Sequence, residues 1–217
     1  MTIDLALYPY QEEAVRFIQK RGGLAGLFAE MGVGKTRIAL AYLRSSGARR
    51  ILVVGPLSVG AVWRQEIKIT GTHWSVLPLL AGSIKRRAAQ LASFKPGAQT
   101  QCVIVNYESF WREPLRKAIL TFKPDAVIMD EAHRLKGRST RQARFAHLFA
   151  DEDFEVATRI AITGTPVMNG VEDLFSIYKF IDLRVFGRSW ADFDRRFLIR
   201  GGWGGYQIKG YRNVENV

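Results

Sequence analysis

The segment Ala29-Glu30-Met31-Gly32-Val33-Gly34-Lys35-Thr36 constrains the fold more than any other stretch of this chain. It follows a short apolar run, Leu24 to Phe28, and leads into a run with helical periodicity. Strand, glycine-rich turn, helix is the order that a phosphate-binding loop requires. Glycines let backbone N–H groups curl around an anion. The N-terminus of the following helix adds positive dipole. Lys35 can reach the β- and γ-phosphates of a nucleoside triphosphate, and the Thr36 hydroxyl can hold Mg²⁺. A nucleoside triphosphate and Mg²⁺ are therefore the expected ligands.

The rest of the chain alternates in the same way. Pro9 suits a first helical turn, and Tyr10, Ala14, Phe17 and Ile18 fall on one face up to Lys20. Helices are expected from Lys35 to Leu43, through Val59, Val62, Trp63 and Ile67, and through Ile84, Ala88 and Leu91. Further helices are expected from Thr140 to Phe149, through Leu174 to Ile181, and through Trp190, Phe193 and Phe197. Strands are expected at Leu24–Phe28, Arg50–Val54, Val76–Leu80, Cys102–Val105, Ala126–Met129 and Val156–Ile162, with a helical segment before Ala126. Several of these strands are continuously apolar rather than alternating. That pattern belongs to a mostly parallel sheet covered by helices on both faces, an α/β fold. Gly201-Gly202-Trp203-Gly204-Gly205 reads as a flexible or hairpin-like excursion.

Charge then points to a partner. The 217 residues carry 32 Lys and Arg against 20 Asp and Glu, a net charge of +12. Such a bias favours a polyanion, nucleic acid before an anionic membrane surface. Cys102 is the single cysteine, so an internal disulfide is excluded, and it falls in an apolar run with Val103, Ile104 and Val105. The first residues, Met1 to Leu7, carry an Asp and no basic region, unlike a secretory signal. The longest uncharged stretch, Ile69 to Ser83, is interrupted by Gly, Pro and His and does not read as a membrane span. The expected location is cytoplasmic, or nuclear in a eukaryote, with no membrane partner.

Asp130-Glu131 follows the apolar strand Ala126-Val127-Ile128-Met129. A carboxylate at the C-terminal end of a parallel strand faces the ligand crevice. Asp130 can hold Mg²⁺ directly or through water. Glu131 is the natural residue to orient and deprotonate an attacking water. With Lys35, it is the expected catalytic pair.

These motifs, taken in order, resemble the first RecA-like lobe of a superfamily 2 helicase or translocase of the Swi/Snf type. Leu7-Tyr8-Pro9-Tyr10-Gln11 resembles the glutamine motif that reads adenine, and Glu30 to Thr36 resembles motif I. Val53-Val54-Gly55-Pro56-Leu57-Ser58 with Trp63 and Glu66 resembles motif Ia. Val105-Asn106-Tyr107-Glu108 resembles the next segment that faces nucleic acid. Asp130-Glu131-Ala132-His133, with Arg134 and Lys136, resembles a DEAH-type motif II. Thr163-Gly164-Thr165-Pro166 with Asn169 resembles motif III and its trailing segment.

The resemblance implies a RecA-like P-loop NTPase fold and a set of roles. ATP would be held by Gln11, Met31, Gly32, Val33, Gly34, Lys35, Thr36 and Arg37, and the metal by Thr36 and Asp130. Pro56, Leu57, Ser58, Asn106 and Tyr107 would face nucleic acid. His133, Thr163, Gly164 and Thr165 would couple the nucleotide state to the grip on nucleic acid. Duplex DNA is the expected partner. Residues 1–200 would form the lobe and residues 201–217 a glycine-rich tail that truncates it. Nothing after Thr165 resembles the family's arginine-finger motif, so a second RecA-like lobe is expected in cis or in trans, and hydrolysis by this lobe alone should be slow.

Two other readings fit parts of the sequence. The chain could be a non-catalytic DNA- or protein-binding module that takes ATP only as a ligand, or the lobe of an RNA helicase. The intact Lys35, Asp130 and Glu131 argue against the first. The basic run Arg134, Lys136, Arg138, Arg141 and Arg144 fits a solvated loop face as well as a nucleic-acid contact. Trp63, Trp74, Trp111 and Trp190 read as core, and Trp203, between glycine pairs, as an exposed stacking or interface residue.

Overall fold

The computed structural model describes residues 6–70, 72–95, 97–167 and 170–213. Helix α1 (Pro9–Lys20) leads into strand β1 (Leu24–Phe28) and helix α2 (Lys35–Ser45). The chain continues through β2 (Arg50–Gly55), α3 (Val59–Ile69), β3 (Ser75–Leu79), α4 (Ile84–Ala92) and β4 (Gln101–Asn106). The short helix α5 (Tyr107–Phe110) and α6 (Leu115–Phe122) precede β5 (Ala126–Asp130). Next come α7 (Arg141–Leu148), β6 (Thr158–Thr163), α8 (Glu172–Ile181), α9 (Leu183–Phe186) and α10 (Trp190–Phe197). A hairpin of β7 (Leu198–Gly201) and β8 (Gln207–Tyr211) follows.

Strands β1 to β6 form one parallel sheet in the order β1-β6-β5-β2-β4-β3. The continuous apolar strands are explained by burial on both faces. Along β2, Ile51 and Val53 pack on one side with α1, α2 and α3, while Leu52 and Val54 pack on the other. The second side is covered by α4 to α8 and holds Phe110, Phe145, Phe149 and Phe180. Cys102 lies in the first of these layers, and burial pushes its thiol up to about 12, so it is a small apolar residue in effect. The edge strand β3 can carry Pro78 because an edge leaves an N–H position free.

Most expected elements stand within a residue or two of their predicted limits. Three places add detail. The strand β6 begins at Thr158, not Val156, and runs on to Thr163, which pairs with Phe28 of β1. Leu183–Phe186 forms an extra helical turn because the Asp182 carboxylate accepts the backbone N–H of Arg184 at 2.9 Å. The glycine-rich stretch is a hairpin connection with a 3₁₀ turn at Trp203–Gly205. The hairpin is held by the Tyr211 hydroxyl donating to Glu172 at 2.9 Å and by a small aromatic core of Phe175, Phe186, Phe193 and Phe197. Trp203 is 95% exposed at its tip. The other four tryptophans are buried or half-buried, as read from the sequence.

The consequence for function lies at one edge of the sheet. All six parallel strands point their C-terminal ends the same way. In spatial order, that edge presents the loop after β1, Thr163–Thr165 after β6, Asp130–His133 after β5, Pro56–Ser58 after β2 and Asn106 at the end of β4. Among the described residues, no helix is long and apolar enough to cross a membrane.

Candidate nucleotide site and nucleic-acid face

The loop after β1 closes through left-handed backbone at Gly32 (φ 87°) and Gly34 (φ 76°), the second of which caps α2. A side chain at position 34 would be strained by that φ and would also collide with Gln11, whose Nε2 lies 2.5 Å from where a Cβ would stand. Gln11 is buried. Its Nε2 donates to the Val33 carbonyl at 3.0 Å, and its Oε1 accepts the Tyr8 N–H at 3.1 Å. The Tyr10 hydroxyl donates to the same carbonyl at 3.3 Å. Gln11 thus braces the turn from behind and is more than a surface residue of α1. Beyond these two bonds the amide has a second N–H and a second lone pair.

Lys35 turns its ammonium into the loop, donating to the carbonyls of Ala29 and Glu30 at 2.8 Å each. Thr36 follows in the first turn of α2. Met31 stands exposed at the loop's tip. Arg37, expected at the nucleotide, pairs its guanidinium with Glu66 of α3, at 3.2 Å from Nε to Oε2. A charged partner one helix away outcompetes solvent for that fork.

Asp130 ends a wholly buried strand. The indole Nε1 of Trp63 donates to its Oδ2 at 2.8 Å, and the Glu131 N–H donates to its Oδ1 at 3.0 Å. Burial holds the carboxyl above the usual range, an effect reinforced by Glu131 and opposed by the Trp63 bond and the Lys35 charge. Glu131 adopts a left-handed backbone, φ 55°. This turns the chain out of the strand and leaves the side chain half-exposed beside Asp130. The Glu131 Oε2 lies 3.2 Å from His133 Nδ1, which in turn lies 3.1 Å from the Thr163 hydroxyl. Thr163 Oγ1 accepts the Thr165 N–H at 3.1 Å. A Cβ on Gly164 would stand 3.6 Å from the Ala29 carbonyl, so this turn lies against the phosphate-loop segment. Asn169 lies outside the described residues.

The donor set fits the expected ligands. The loop offers left-handed glycines, a helix N-terminus and an ammonium to phosphates. Asp130 and Thr36 offer hard oxygen only, which suits Mg²⁺. Among the described residues, no group of three His, Cys, Asp or Glu could hold a metal. Mg²⁺ commonly binds through one or two carboxylates and substrate phosphates rather than in an all-protein cage.

On the nucleic-acid side the expectations divide. Leu57 and Ser58 are exposed and Pro56 half-exposed, at the turn that opens α3. Asn106 and Tyr107 lie inside the fold. Asn106 is buried and its amide is spent internally: Oδ1 accepts from Arg87 at 2.9 Å and from the Ser109 hydroxyl, and Nδ2 donates to Glu108 at 2.7 Å. Tyr107 is fully buried, edge-on to Phe110, with Arg134 above its ring. Helix α5 packs inward on the sheet through Tyr107 and Phe110. The basic run is also largely engaged within the fold. Arg134 pairs with Glu108 and Lys136 with Asp173; Arg138 stacks 4.0 Å from the Trp190 ring centre, and Arg141 lies over Trp111.

Three contacts escaped the sequence: Trp63 to Asp130, Arg37 to Glu66 and Arg87 to Asn106. Each joins residues on different elements. Only the apolar stripe of α3, Val59, Trp63 and Ile67, was readable in advance, and it signals burial without naming a partner for the indole N–H.

Comparison with known proteins agrees with this geometry. A family model described as SNF2-related domain matches residues 10–207. A zebrafish (Danio rerio) protein named chromodomain-helicase-DNA-binding protein 1-like is 31% identical, over 83% of this chain and 18% of its own length. A Drosophila persimilis protein named DNA repair and recombination protein RAD54-like is 29% identical, over 90% of this chain and 27% of its own. The chain thus spans only 12% to 27% of the length of such relatives. Among solved structures, the Sulfolobus solfataricus SWI2/SNF2 ATPase core in complex with dsDNA superposes with a TM-score of 0.71 at 26% identity, covering 90% of this chain and 40% of that one.

Proposed function

The chain belongs to the SNF2-related family, and we propose that it is the ATP-binding motor lobe of a DNA-dependent ATPase of the translocase or remodeller kind. One observation carries the reading: Lys35, Asp130, Glu131 and Thr163 converge from three adjacent strands, β1, β5 and β6, on one edge of the sheet. A solved relative described as bound to dsDNA favours duplex DNA over RNA.

Mg²⁺–ATP, when bound, supplies the γ-phosphoryl group and the cation that offsets its charge. The chain's own residues do the rest. The glycine turn and the N-terminus of α2 direct N–H groups at the phosphates, and Lys35 adds a mobile cation. Asp130 and Thr36 hold the metal. Glu131 orients the attacking water and takes its proton, with His133 restraining its carboxylate. Gln11 supports the loop and presents its remaining amide valences to adenine. The exposed turn Pro56–Ser58 lies against the nucleic-acid backbone, so binding is insensitive to sequence and weakened by salt. A second RecA-like lobe, in cis or in trans, supplies the arginine that completes the site, and opening and closing of the two lobes moves the motor along DNA.

The test is steady-state ATP hydrolysis with no nucleic acid, duplex DNA and duplex RNA, with and without a second lobe from a relative, beside Glu131→Gln. The expected result is turnover stimulated by duplex DNA and abolished in Glu131→Gln. ATP binding without any Glu131-dependent hydrolysis under all conditions would replace the motor with a binding module. Stimulation by RNA alone would replace the polymer.

A further inference from the structure

We propose that Trp63 is a positioning residue for Asp130: its indole N–H holds the carboxylate in the orientation that receives the metal, from a helix whose opening turn is the exposed Pro56–Ser58. The inference rests on the nucleotide-site reading above and adds a residue from outside the phosphate loop and the Asp-Glu strand end.

The geometry is specific. Trp63 is fully buried and lies on the apolar stripe of α3 with Val59 and Ile67, so packing alone would account for a large aromatic there. Packing does not account for the bond. A buried indole N–H needs an acceptor, and the one it reaches is the Oδ2 of Asp130, at 2.8 Å. Tryptophan is a donor only. It therefore never competes for the metal or for a proton, unlike a histidine or tyrosine at the same place. The Glu131 N–H takes one lone pair of Oδ1. With one donor on each oxygen, rotation about the carboxylate bond is arrested, and two further lone-pair directions stay free.

The origin of the two donors matters. One belongs to the strand end itself. The other belongs to α3, which also carries Glu66, the partner of Arg37 on α2, the helix that follows the phosphate loop. Helix α3 thus holds the metal-binding carboxylate through Trp63 and the phosphate-loop helix through Glu66. A shift of α3 along its axis would alter both contacts together.

The test uses Trp63→Phe, which keeps most of the volume and removes the donor. Binding of a fluorescent ADP analogue is measured without metal and then across a Mg²⁺ titration, with direct Mn²⁺ binding followed by paramagnetic resonance. The Mg²⁺ half-saturation point is expected to rise about tenfold, in the range found when groups that orient metal ligands are removed. Nucleotide affinity without metal stays within about twofold of wild type, since no group that touches the nucleotide has changed. Ile67→Val, one turn along the same stripe, controls for weakened packing and should leave the Mg²⁺ curve in place. If Trp63→Phe melts too early to assay, a benzothienyl side chain at position 63, with sulfur replacing the N–H, removes the donor at constant shape. An unchanged Mg²⁺ and Mn²⁺ affinity in a folded donor-less variant overturns the inference and leaves the nucleotide-site reading standing. A wild-type chain that binds no Mg²⁺–nucleotide overturns that reading itself.

Discussion

His133 Nδ1 lies 3.1 Å from Thr163 Oγ1 and 3.2 Å from Glu131 Oε2, so a single ring nitrogen joins the end of β5 to the end of β6. The residues on either side differ in kind. Glu131 is the residue proposed to activate water, while Thr163 begins a turn that rests against the phosphate loop at Ala29. A displacement of the Thr163–Thr165 turn therefore alters the restraint on Glu131.

Thr163→Val removes the hydroxyl and keeps the branched shape of a buried strand end. DNA stimulation of hydrolysis is expected to fall about tenfold, within the usual span of coupling energies between sites. ATP affinity should not change. Comparing hydrolysis at saturating and zero duplex DNA decides the matter; an undiminished stimulation ratio would remove Thr163 from the coupling path.

Glu131 occupies left-handed backbone, φ 55°, a conformation that costs a non-glycine residue free energy. Strain held at the residue proposed to activate water gives a stability–function signature. Glu131→Gly is expected to be more stable than Glu131→Ala by about 1 kcal/mol, because glycine accepts the φ without penalty. Both should be inactive as ATPases. Urea midpoints of the two variants provide the check, and an alanine variant equal to or more stable than the glycine one would mean the turn relaxes.

The proposed nucleic-acid contact includes the turn Pro56–Ser58, where Leu57 and Ser58 are open to solvent. Leu57→Glu places a carboxylate there without touching the core, since Leu57 is 60% exposed. DNA affinity is expected to fall about tenfold at low salt, with a smaller difference as salt screens the repulsion. Fluorescence anisotropy across a salt series reads this directly. Equal affinities at every salt concentration would move the DNA contact elsewhere on the lobe.

What the sequence disclosed, and what it hid, follows from the range of the interactions. The phosphate loop is local: strand, glycines, Lys35 and Thr36 lie in one continuous stretch, and their geometry follows from their order. The same holds for Asp130 and Glu131 after β5. The parallel sheet was legible because two-sided burial leaves apolar strands unbroken, as in Ile51 to Val54. The burial of Tyr107 and Asn106 was not legible because the direction a side chain faces after a strand depends on the next helix, and α5 packs inward. Arg134, Lys136 and Arg138 looked like a free basic run because their partners, Glu108, Asp173 and Trp190, come from other elements. The Trp63 bond was hidden for the same reason, with its partner on β5.

His147 gives a pH-dependent stability that is independent of nucleotide chemistry. It is buried on α7, and its Nε2 lies 3.0 Å from the Ser176 carbonyl on α8, to which a neutral ring donates. Burial holds its pKa down to about 4 from an ordinary 6.5, the Ser176 bond opposing and the nearby Lys179 charge assisting. The sign follows directly. Between those two values the unfolded chain binds the proton and the folded chain refuses it, so lowering the pH favours unfolding. The contribution is fully present above about pH 6.5 and is lost progressively down to about pH 4, amounting to about 3 kcal/mol across the window. His147→Gln keeps a donor for Ser176 but cannot take up the proton. Urea unfolding across this window should show wild type losing more stability than the variant, because the acid groups elsewhere titrate alike in both. Parallel pH profiles would show that α7 and α8 open enough to solvate the protonated ring.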